Sequence, residues 1–525
     1  MFVGERTRPA ERLKVQADQT SERSVQKSSL VALGSTHASA ARRPHDPQAP
    51  NERMRQSQGS SGSQSLRGRQ KSGVGGSDRT HAGRSENLAI NMNAEQPWVP
   101  GSLMHQTLSI ASGLLFSVIV VMAAYAARHG VLTINRLLGR QRHPYLDIDQ
   151  VTWPVITVFI AAHNEERVIA DCLQALLNSN YPADRLHIVP VNDRSGDSTG
   201  AIIDRWSACH VGRITPFHRT GGRPGKAAAL KDALALGVGD IAIIFDADYT
   251  PGKGLLKQLV APFFDPEVGA VMGRVVPINT GANLLTRMLD LERAGGYQVD
   301  QQARMNLHLV PQYGGTVGGI RRSAVAAVGG WQDDTLAEDT DITYRLLLNG
   351  WKTVYTNRSE CYEEVPEDWS VRIKQVKRWA KGHNQVLLRH GYRFATSPFL
   401  SLGERLDGLM LLFVFVLPPV LMLGWLLAIG LYFFNGGTLL TQLVSAFALM
   451  AYSTLGNFAA FFEIAVAVLL DGKRNRLRLL PLSLLGFVVS MVAISSSVWD
   501  LMLDRLFRRE LIWEKTIRYR KPSIE

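Results

Sequence analysis

Apolar and polar positions divide the 525-residue chain into regions of very different character. Residues 1–95 show no apolar period; Ser, Gly, Gln and Arg dominate, as in the run from Gln58 to Ser65. Such a segment cannot bury enough apolar surface to offset its ordering entropy. It reads as a disordered basic tail, which could meet anionic lipid, or more plainly as an over-long start ahead of Met92 and Met104. Residues 105–128 are apolar and uncharged from Thr107 to Ala127, the length a helix needs to cross a bilayer core, and predict a transmembrane helix. Arg128, Arg136, Arg140 and Arg142 follow at once, which by the positive-inside tendency puts that side in the cytoplasm.

Residues 150–365 change period. Short apolar runs at Val155 to Ala161, Leu186 to Val191 and Ile241 to Phe245 end in turn signals. They alternate with helix-like stretches from Glu165 to Leu177 and from Lys226 to Leu236. This alternation predicts an α/β domain with a mostly parallel sheet and crossover helices. In residues 366–395, Trp369, Ile373, Val376 and Trp379 interleave with Arg372, Lys374, Lys377 and Arg378, the pattern of a basic helix lying in a membrane interface. Residues 408–503 hold about three apolar segments, at 408–434, 440–470 and 479–503, the second interrupted by Asn457 and Glu463. Residues 504–525 form a basic tail. One span before the α/β domain and three after it would set that tail outside, against the charge rule, so one of the later segments is expected to be re-entrant or interfacial.

The formal charge of +12 lies largely in the first hundred residues and beside the apolar runs, which suggests a membrane surface; no nucleic-acid module pattern is present. Cys172, Cys209 and Cys361 are odd in number and widely spaced, so neither a disulfide framework nor a zinc site is indicated, and a reducing compartment is expected.

The chemistry concentrates where apolar runs end. Ile241 to Phe245 empties into Asp246 and Asp248, and in open α/β sheets ligands collect at strand carboxyl ends. Alternation along a strand would point two such carboxylates the same way, toward one hard cation whose other ligands come from water and phosphates. An acidic turn is the plainer alternative. The first run ends in His163-Asn-Glu-Glu, either an ordinary strand-to-helix turn or a helix start whose loop amides suit a phosphate or a base edge. The second ends in Asn192-Asp-Arg-Ser-Gly-Asp197, either a turn or a set of acceptors for a nucleobase N–H or ribose hydroxyl. Gly221 to Lys226 is too short between its glycines for a phosphate loop, and no hydroxyl follows the lysine; Lys226 remains a candidate to meet a nucleotide from a flexible turn. Glu338, Asp339 and Asp341 repel one another, which implies cations, hydrogen bonds or a raised pKa. Asp341 reads as a helix-dipole partner and Asp339 as a general base.

Taken in order, His163-Asn-Glu-Glu, Asn192 to Asp197, Gly225-Lys-Ala, Asp246-Ala-Asp248, Glu338-Asp339 and Gln375-x-x-Arg378-Trp379 resemble the inverting family 2 glycosyltransferases. The likeness is nearest to the membrane-embedded processive branch of poly-N-acetylglucosamine, hyaluronan, chitin and cellulose synthases. It covers about 150–385 by motif and implies a GT-A (Rossmann-like) fold that binds a UDP-sugar. Asp193 would sit at the uracil, Asp246 at the nucleotide and Asp248 on Mg²⁺ or Mn²⁺. Asp339 would deprotonate the acceptor, with Glu338 and Lys226 beside the substrate. Gln375, Arg378 and Trp379 would cap the site, and Tyr313 to Ile320 would form a Gly-rich wall.

Asn192 replaces the first Asp of the usual pair, and Gln-Val-Lys-Arg-Trp lacks the second Gln or Arg frequent in cellulose synthases. The implied activity is extension of a β-linked polysaccharide from UDP-GlcNAc or UDP-glucose by a multi-pass inner-membrane enzyme with a cytoplasmic catalytic domain. Its partners would be the donor, a polysaccharide or glycan acceptor, membrane lipid and export proteins. Transfer of one sugar to a lipid or short glycan, or a membrane transporter or scaffold that senses nucleotide sugar without catalysis, are the alternatives.

Overall fold

The computed structural model describes residues 100–143, 152–434, 459–507 and 519. The readings of 1–95 as a disordered tail, of most of 440–470 as a span and of the basic C-terminal residues therefore fall wholly or largely outside the described residues.

Fully apolar runs form the sheet's centre. Strands β1 (Ile156–Ala162), β2 (Leu186–Asp193), β3 (Phe217–Arg219) and β4 (Ile241–Asp246) pair in parallel. The period of two sorts their side chains into two cores. Ile156, Val158 and Ile160 of β1 and Ile243 and Phe245 of β4 pack with Cys172, Leu173 and Leu176 of helix α1 (Ile169–Leu177). Phe159 and Ile244 turn to the opposite face, against Ala229 and Leu230 of α2 (Lys226–Ala233) and Ile342 and Leu346 of α3 (Glu338–Leu348). Completing the sheet are β5 (Thr250–Pro251), β6 (Val268–Pro277), β7 (Gly318–Arg321) and β8 (Lys352–Glu363), in the order β3-β2-β1-β4-β7-β6-β8-β5.

Among the described residues the sheet is mixed: four of its seven strand pairings are parallel, as expected, and three are antiparallel. β7 runs antiparallel to both β4 and β6, and β5 runs antiparallel to β8. The slot occupied by β7 demands glycine: a Cβ on Gly319 would lie 2.7 Å from the Phe263 ring and 2.8 Å from Ile243, and one on Gly318 2.5 Å from the Val271 carbonyl. The Gly-rich segment is thus in part a buried central strand.

Among the described residues three helices are long and apolar enough to cross a membrane: Met104–Leu138, Leu417–Phe434 and Arg474–Asp504. The first is longer than the apolar run because its last turns pack on protein. Arg128 pairs with Asp407 (2.7 Å) and Asp300 (3.5 Å), Arg136 donates to the Gln298 carbonyl, and His129 meets Glu463 at 2.5 Å. Two arginines that looked like topology signals are therefore also structural ion-pair or hydrogen-bond groups. The apolar stretch from 408 is broken, with Leu402–Phe413 and Leu417–Phe434 as separate helices.

The basic stretch forms α4 (Trp369–Ala395), with Arg372, Val376, Ala380, Val386 and Phe394 buried. It lies between the sheet domain and the apolar helices. Lys381 pairs with Asp504 (2.8 Å) and Lys377 with Asp500 (3.5 Å), while a Cβ on Gly382 would stand 2.6 Å from that of Ala337. Close backbone contact fixes α4 beside the acidic start of α3.

Candidate active site

All nine residues singled out from the sequence line one cavity of about 1170 Å³ at the carboxyl ends of β1, β2 and β4: Asp193, Lys226, Asp246, Asp248, Glu338, Asp339, Gln375, Arg378 and Trp379. It is also walled by Tyr125 of the first apolar helix and by Met410, Leu411, Val414 and Phe415, at the end of Leu402–Phe413 and in the break that follows it.

Two strand-end loops are bolted together at one side. Asn164 Oδ1 accepts from the Gly196 N–H (2.7 Å), Glu166 from the Ser198 N–H (3.0 Å), and Thr199 Oγ1 from the Glu165 N–H (2.7 Å). Asp193, 5% exposed, accepts from Arg219 Nη1 (2.6 Å), Arg194 Nε (3.1 Å) and the Gly225 N–H (2.9 Å). Much of its hydrogen-bonding capacity thus goes into holding the Gly221–Gly225 turn, where Gly225 at φ 112° starts α2 and delivers Lys226. Arg219 and Arg194 carry no recognisable local signal; their roles come from β3 and the β2 loop meeting in space.

At the centre, Lys226 Nζ lies 2.6 Å from Asp246 Oδ1. Burial disfavours its charge, but Asp246, Glu338 and Asp339 outweigh that and raise its pKa. Asp246 ends β4, whereas Asp248 lies beyond it in the turn and is 2% exposed. The two therefore come from a strand end and a turn, not from one regular strand face. Next to Asp248, Tyr249 donates to Glu363 Oε2 (2.8 Å), and Arg293 grips Glu363 through Nε at 2.5 Å. Among the described residues no group of three or more His, Cys, Asp and Glu side chains is placed to hold a metal on its own. The donor set fits a hard cation held by one or two carboxylates and completed by phosphate and water, with Asp248 and Asp246 as the carboxylates available.

Burial, reinforced by the adjoining Asp339, pushes the Glu338 carboxyl up to about 7. Ionising it therefore costs stability. That cost is absent below the ordinary value of 4.5 and grows as pH rises through 7. Glu338→Gln is accordingly expected to melt higher than the parent above pH 7, the gap closing as pH falls toward 4.5, as read by thermal unfolding.

Asp339 Oδ1 accepts the Thr340 N–H (2.7 Å), and its other oxygen faces Gly315. Gly315 has φ +73°, and a Cβ there would stand 3.0 Å from Asp339 Cβ and 3.1 Å from Oδ2. Gly315→Ala is expected to cost about 1–2 kcal/mol from the left-handed backbone, and to reduce turnover more than its stability loss explains by displacing the carboxylate. Denaturant unfolding and initial rates measured together check this. Asp341 sits in the first turn of α3, as the helix-dipole reading has it, and does more besides. It is fully buried and accepts from Arg345 Nε (2.6 Å) and His390 Nε2 (2.8 Å), tying α3 to α4; these bonds overcome burial and lower its pKa.

Trp379 is also differently employed than stacking alone requires. The guanidinium of Arg372 lies over its ring at 5.1 Å and that of Arg293 at 5.4 Å. Arg372 also donates to Gln375 Oε1 (2.9 Å) and to Glu292 (2.6 Å). Gln375 and Trp379 thus belong to a network that fastens α4 to the helix Leu284–Ala294. Arg293, Arg372, Glu363 and His383 were missed by sequence reasoning, since nothing in their spacing marks them.

Comparison with known proteins adds to this geometry. Residues 154–382 match the profile of the Glycosyltransferase like family 2. The chain is 31% identical over 373 residues to the probable glycosyltransferase YdaM of Bacillus subtilis, covering 70% of this chain and 87% of that protein. It is 33% identical over 276 residues to the beta-monoglucosyldiacylglycerol synthase of a Synechocystis species, covering 53% of this chain and 56% of that protein. A solved structure, the mannosyltransferase PcManGT from Pyrobaculum calidifontis in complex with GDP-Man and Mn²⁺, aligns with a TM-score of 0.48 and 22% identity, over 69% of this chain and 97% of that one.

Proposed function

The chain belongs to the family 2 glycosyltransferases with a GT-A-like fold, and from that premise we propose that it is an inverting enzyme adding a sugar from a UDP-sugar, UDP-GlcNAc or UDP-glucose, to the end of a β-linked polysaccharide at the inner membrane. The observation that carries this reading is the single cavity joining acidic strand ends to the start of α3, the Gln375-x-x-Arg378-Trp379 turn and the apolar helices.

Asp193 and the turn it holds receive the base, with the remaining acceptor capacity of its carboxylate directed to a nucleobase N–H. Lys226 leaves Asp246 for the diphosphate, to which Arg378 also turns. Asp248, with Asp246, would hold Mg²⁺ or Mn²⁺, whose charge when bound would offset that building on the departing nucleotide. Asp339 accepts the proton of the acceptor hydroxyl, held in line with the donor's anomeric carbon so that one base suffices. The Trp379 network keeps the acceptor end of the cavity in shape.

A second reading, transfer of one sugar to a lipid, is favoured by the wall of Met410, Leu411, Val414 and Phe415, which suits an acyl chain as well as it suits passage of a glycan. The similarity to a glucolipid synthase points the same way. Membranes carrying the protein, offered a panel of UDP-sugars with Mg²⁺ or Mn²⁺, test both: one donor should release UDP preferentially. A high-mass product supports the polysaccharide, a single sugar in an organic extract supports the lipid, and no donor-dependent release overturns the catalytic reading.

A further inference from the structure

His383 lies one helical turn beyond Trp379 on α4 and lines the cavity, and nothing in the proposed chemistry uses it. Its hydrogen-bond partners fix what it can do. Nδ1 lies 3.1 Å from the Trp379 carbonyl, which can only accept, so Nδ1 carries the proton and Nε2 is a bare acceptor. Nε2 faces Gln312 Nε2 at 3.2 Å and the Thr340 hydroxyl at 3.3 Å. A protonated imidazole would set its second N–H against the amide donor of Gln312. The neutral ring is the form that fits, and burial lowers its pKa in the same direction against the opposing pull of Asp339.

One of the two groups that meet Nε2, Thr340, also meets the base, and the other, Gln312, is bonded to Thr340. Gln312 Nε2 donates to Thr340 Oγ1 at 2.8 Å, so this hydroxyl accepts from the amide and has one proton to give. That proton has two acceptors in reach, His383 Nε2 at 3.3 Å and Asp339 Oδ1 at 3.4 Å. Gln312 is held at its other end by reciprocal bonds with Gln301, its N–H donating to Gln301 Oε1 (3.0 Å) while Gln301 Nε2 donates to its carbonyl (2.8 Å). On its other side the imidazole packs against Phe415, ring centroids 4.8 Å apart, in the apolar wall of the cavity. One side chain therefore touches the Trp379 turn, the apolar wall and Thr340, the hydrogen-bond partner of Asp339.

We propose that His383 is a positioning residue for Asp339: a neutral acceptor that holds the Thr340 hydroxyl and the Gln312 amide in register, so that the carboxylate presents its oxygen to the acceptor hydroxyl. This rests on Asp339 being the base. It adds a link through which the position of Phe415, and so whatever lies along the apolar wall, bears on the orientation of the base.

The test uses the full-length membrane protein with its preferred donor and acceptor, comparing His383→Phe, His383→Gln and His383→Asn with Asp339→Asn. Phenylalanine keeps a ring against Phe415 but has no acceptor. It should lower kcat on the order of 10²-fold, the cost of a misplaced catalytic group, while donor KM, UDP affinity and Tm stay near the parent's. Glutamine places an amide oxygen near Nε2 and should recover most of the loss. Asparagine, which mimics only the Nδ1 donor, should not. A His383→Phe enzyme with kcat within about twofold of the parent overturns the proposal. So does a loss of kcat that comes with weakened UDP binding and a lowered Tm, equal in all three variants, which marks a packing role. Transfer retained in Asp339→Asn instead overturns the assignment of the base, independently of how the His383 variants behave.

Discussion

Asp339→Asn is expected to lose about 10²- to 10⁴-fold in turnover, the contribution typical of a positioned general base, while still binding UDP and folding normally. The substitution is nearly isosteric. Its amide oxygen can still accept the Thr340 N–H that the carboxylate takes at 2.7 Å, so the start of α3 keeps its hydrogen bond. The enzyme loses the ability to take a proton from the acceptor. Loss should therefore fall on kcat with donor KM unchanged, the signature of an interaction made only in the transition state. A linked change comes with it: Asp339 is, after burial, the foremost group raising the pKa of Glu338, so removing its charge should bring Glu338 down from about 7. Initial rates with and without acceptor, beside calorimetric titration with UDP, separate these effects. Turnover within about tenfold of the parent would rule Asp339 out as the base.

How much of this could be read from the chain depends on whether a signal is local. β1, β2 and β4 are buried on both faces, so their apolar runs announce themselves, and the polar groups at their ends point to a site. β7 gives no such signal: Gly318-Gly-Ile-Arg321 reads as a loop, and becomes a strand because only glycine fits between β4 and β6. β8 is similarly obscured by Thr353, Asn357 and Ser359, and its pairing with β6 is settled by the sheet as a whole. In the cavity, carboxylates at strand ends were legible, yet their partners were not. Arg219 reaches Asp193 from 26 positions away, and Arg293 reaches Glu363 from 70. Asp341 shows what a local rule leaves out: its place in the first turn of α3 suits the helix dipole, and the His390 and Arg345 partners that make it a clamp come from the fold. Likewise Arg128 sits where a topology signal is expected and forms an ion pair with Asp407 as well.

Removing the divalent cation, or the carboxylate best placed to hold it, is expected to have an effect of the same order as removing the base. With chelator present, UDP release should fall on the order of 10³-fold, because charge building on the departing diphosphate is then met only by Lys226 and Arg378. Asp248→Ala should reproduce that loss and resist rescue by excess Mn²⁺, whereas Asp246→Ala should be partly rescued. The difference follows from the surroundings. Asp246 retains 28% side-chain exposure and is neutralised by Lys226 at 2.6 Å, so it can share the cation or yield it to the lysine. Asp248 is 2% exposed, in the turn next to Tyr249, whose hydroxyl is given to Glu363. A carboxylate so far removed from water suits a tightly held cation better than a hydrated one. Fluorescence or calorimetric titration with Mn²⁺ and UDP, run on both variants beside the rate measurements, distinguishes a lost metal site from a lost nucleotide contact. UDP release that is indifferent to chelation, or preserved in Asp248→Ala, would mean that the lysine and arginine alone stabilise the leaving group and that the two carboxylates serve the nucleotide.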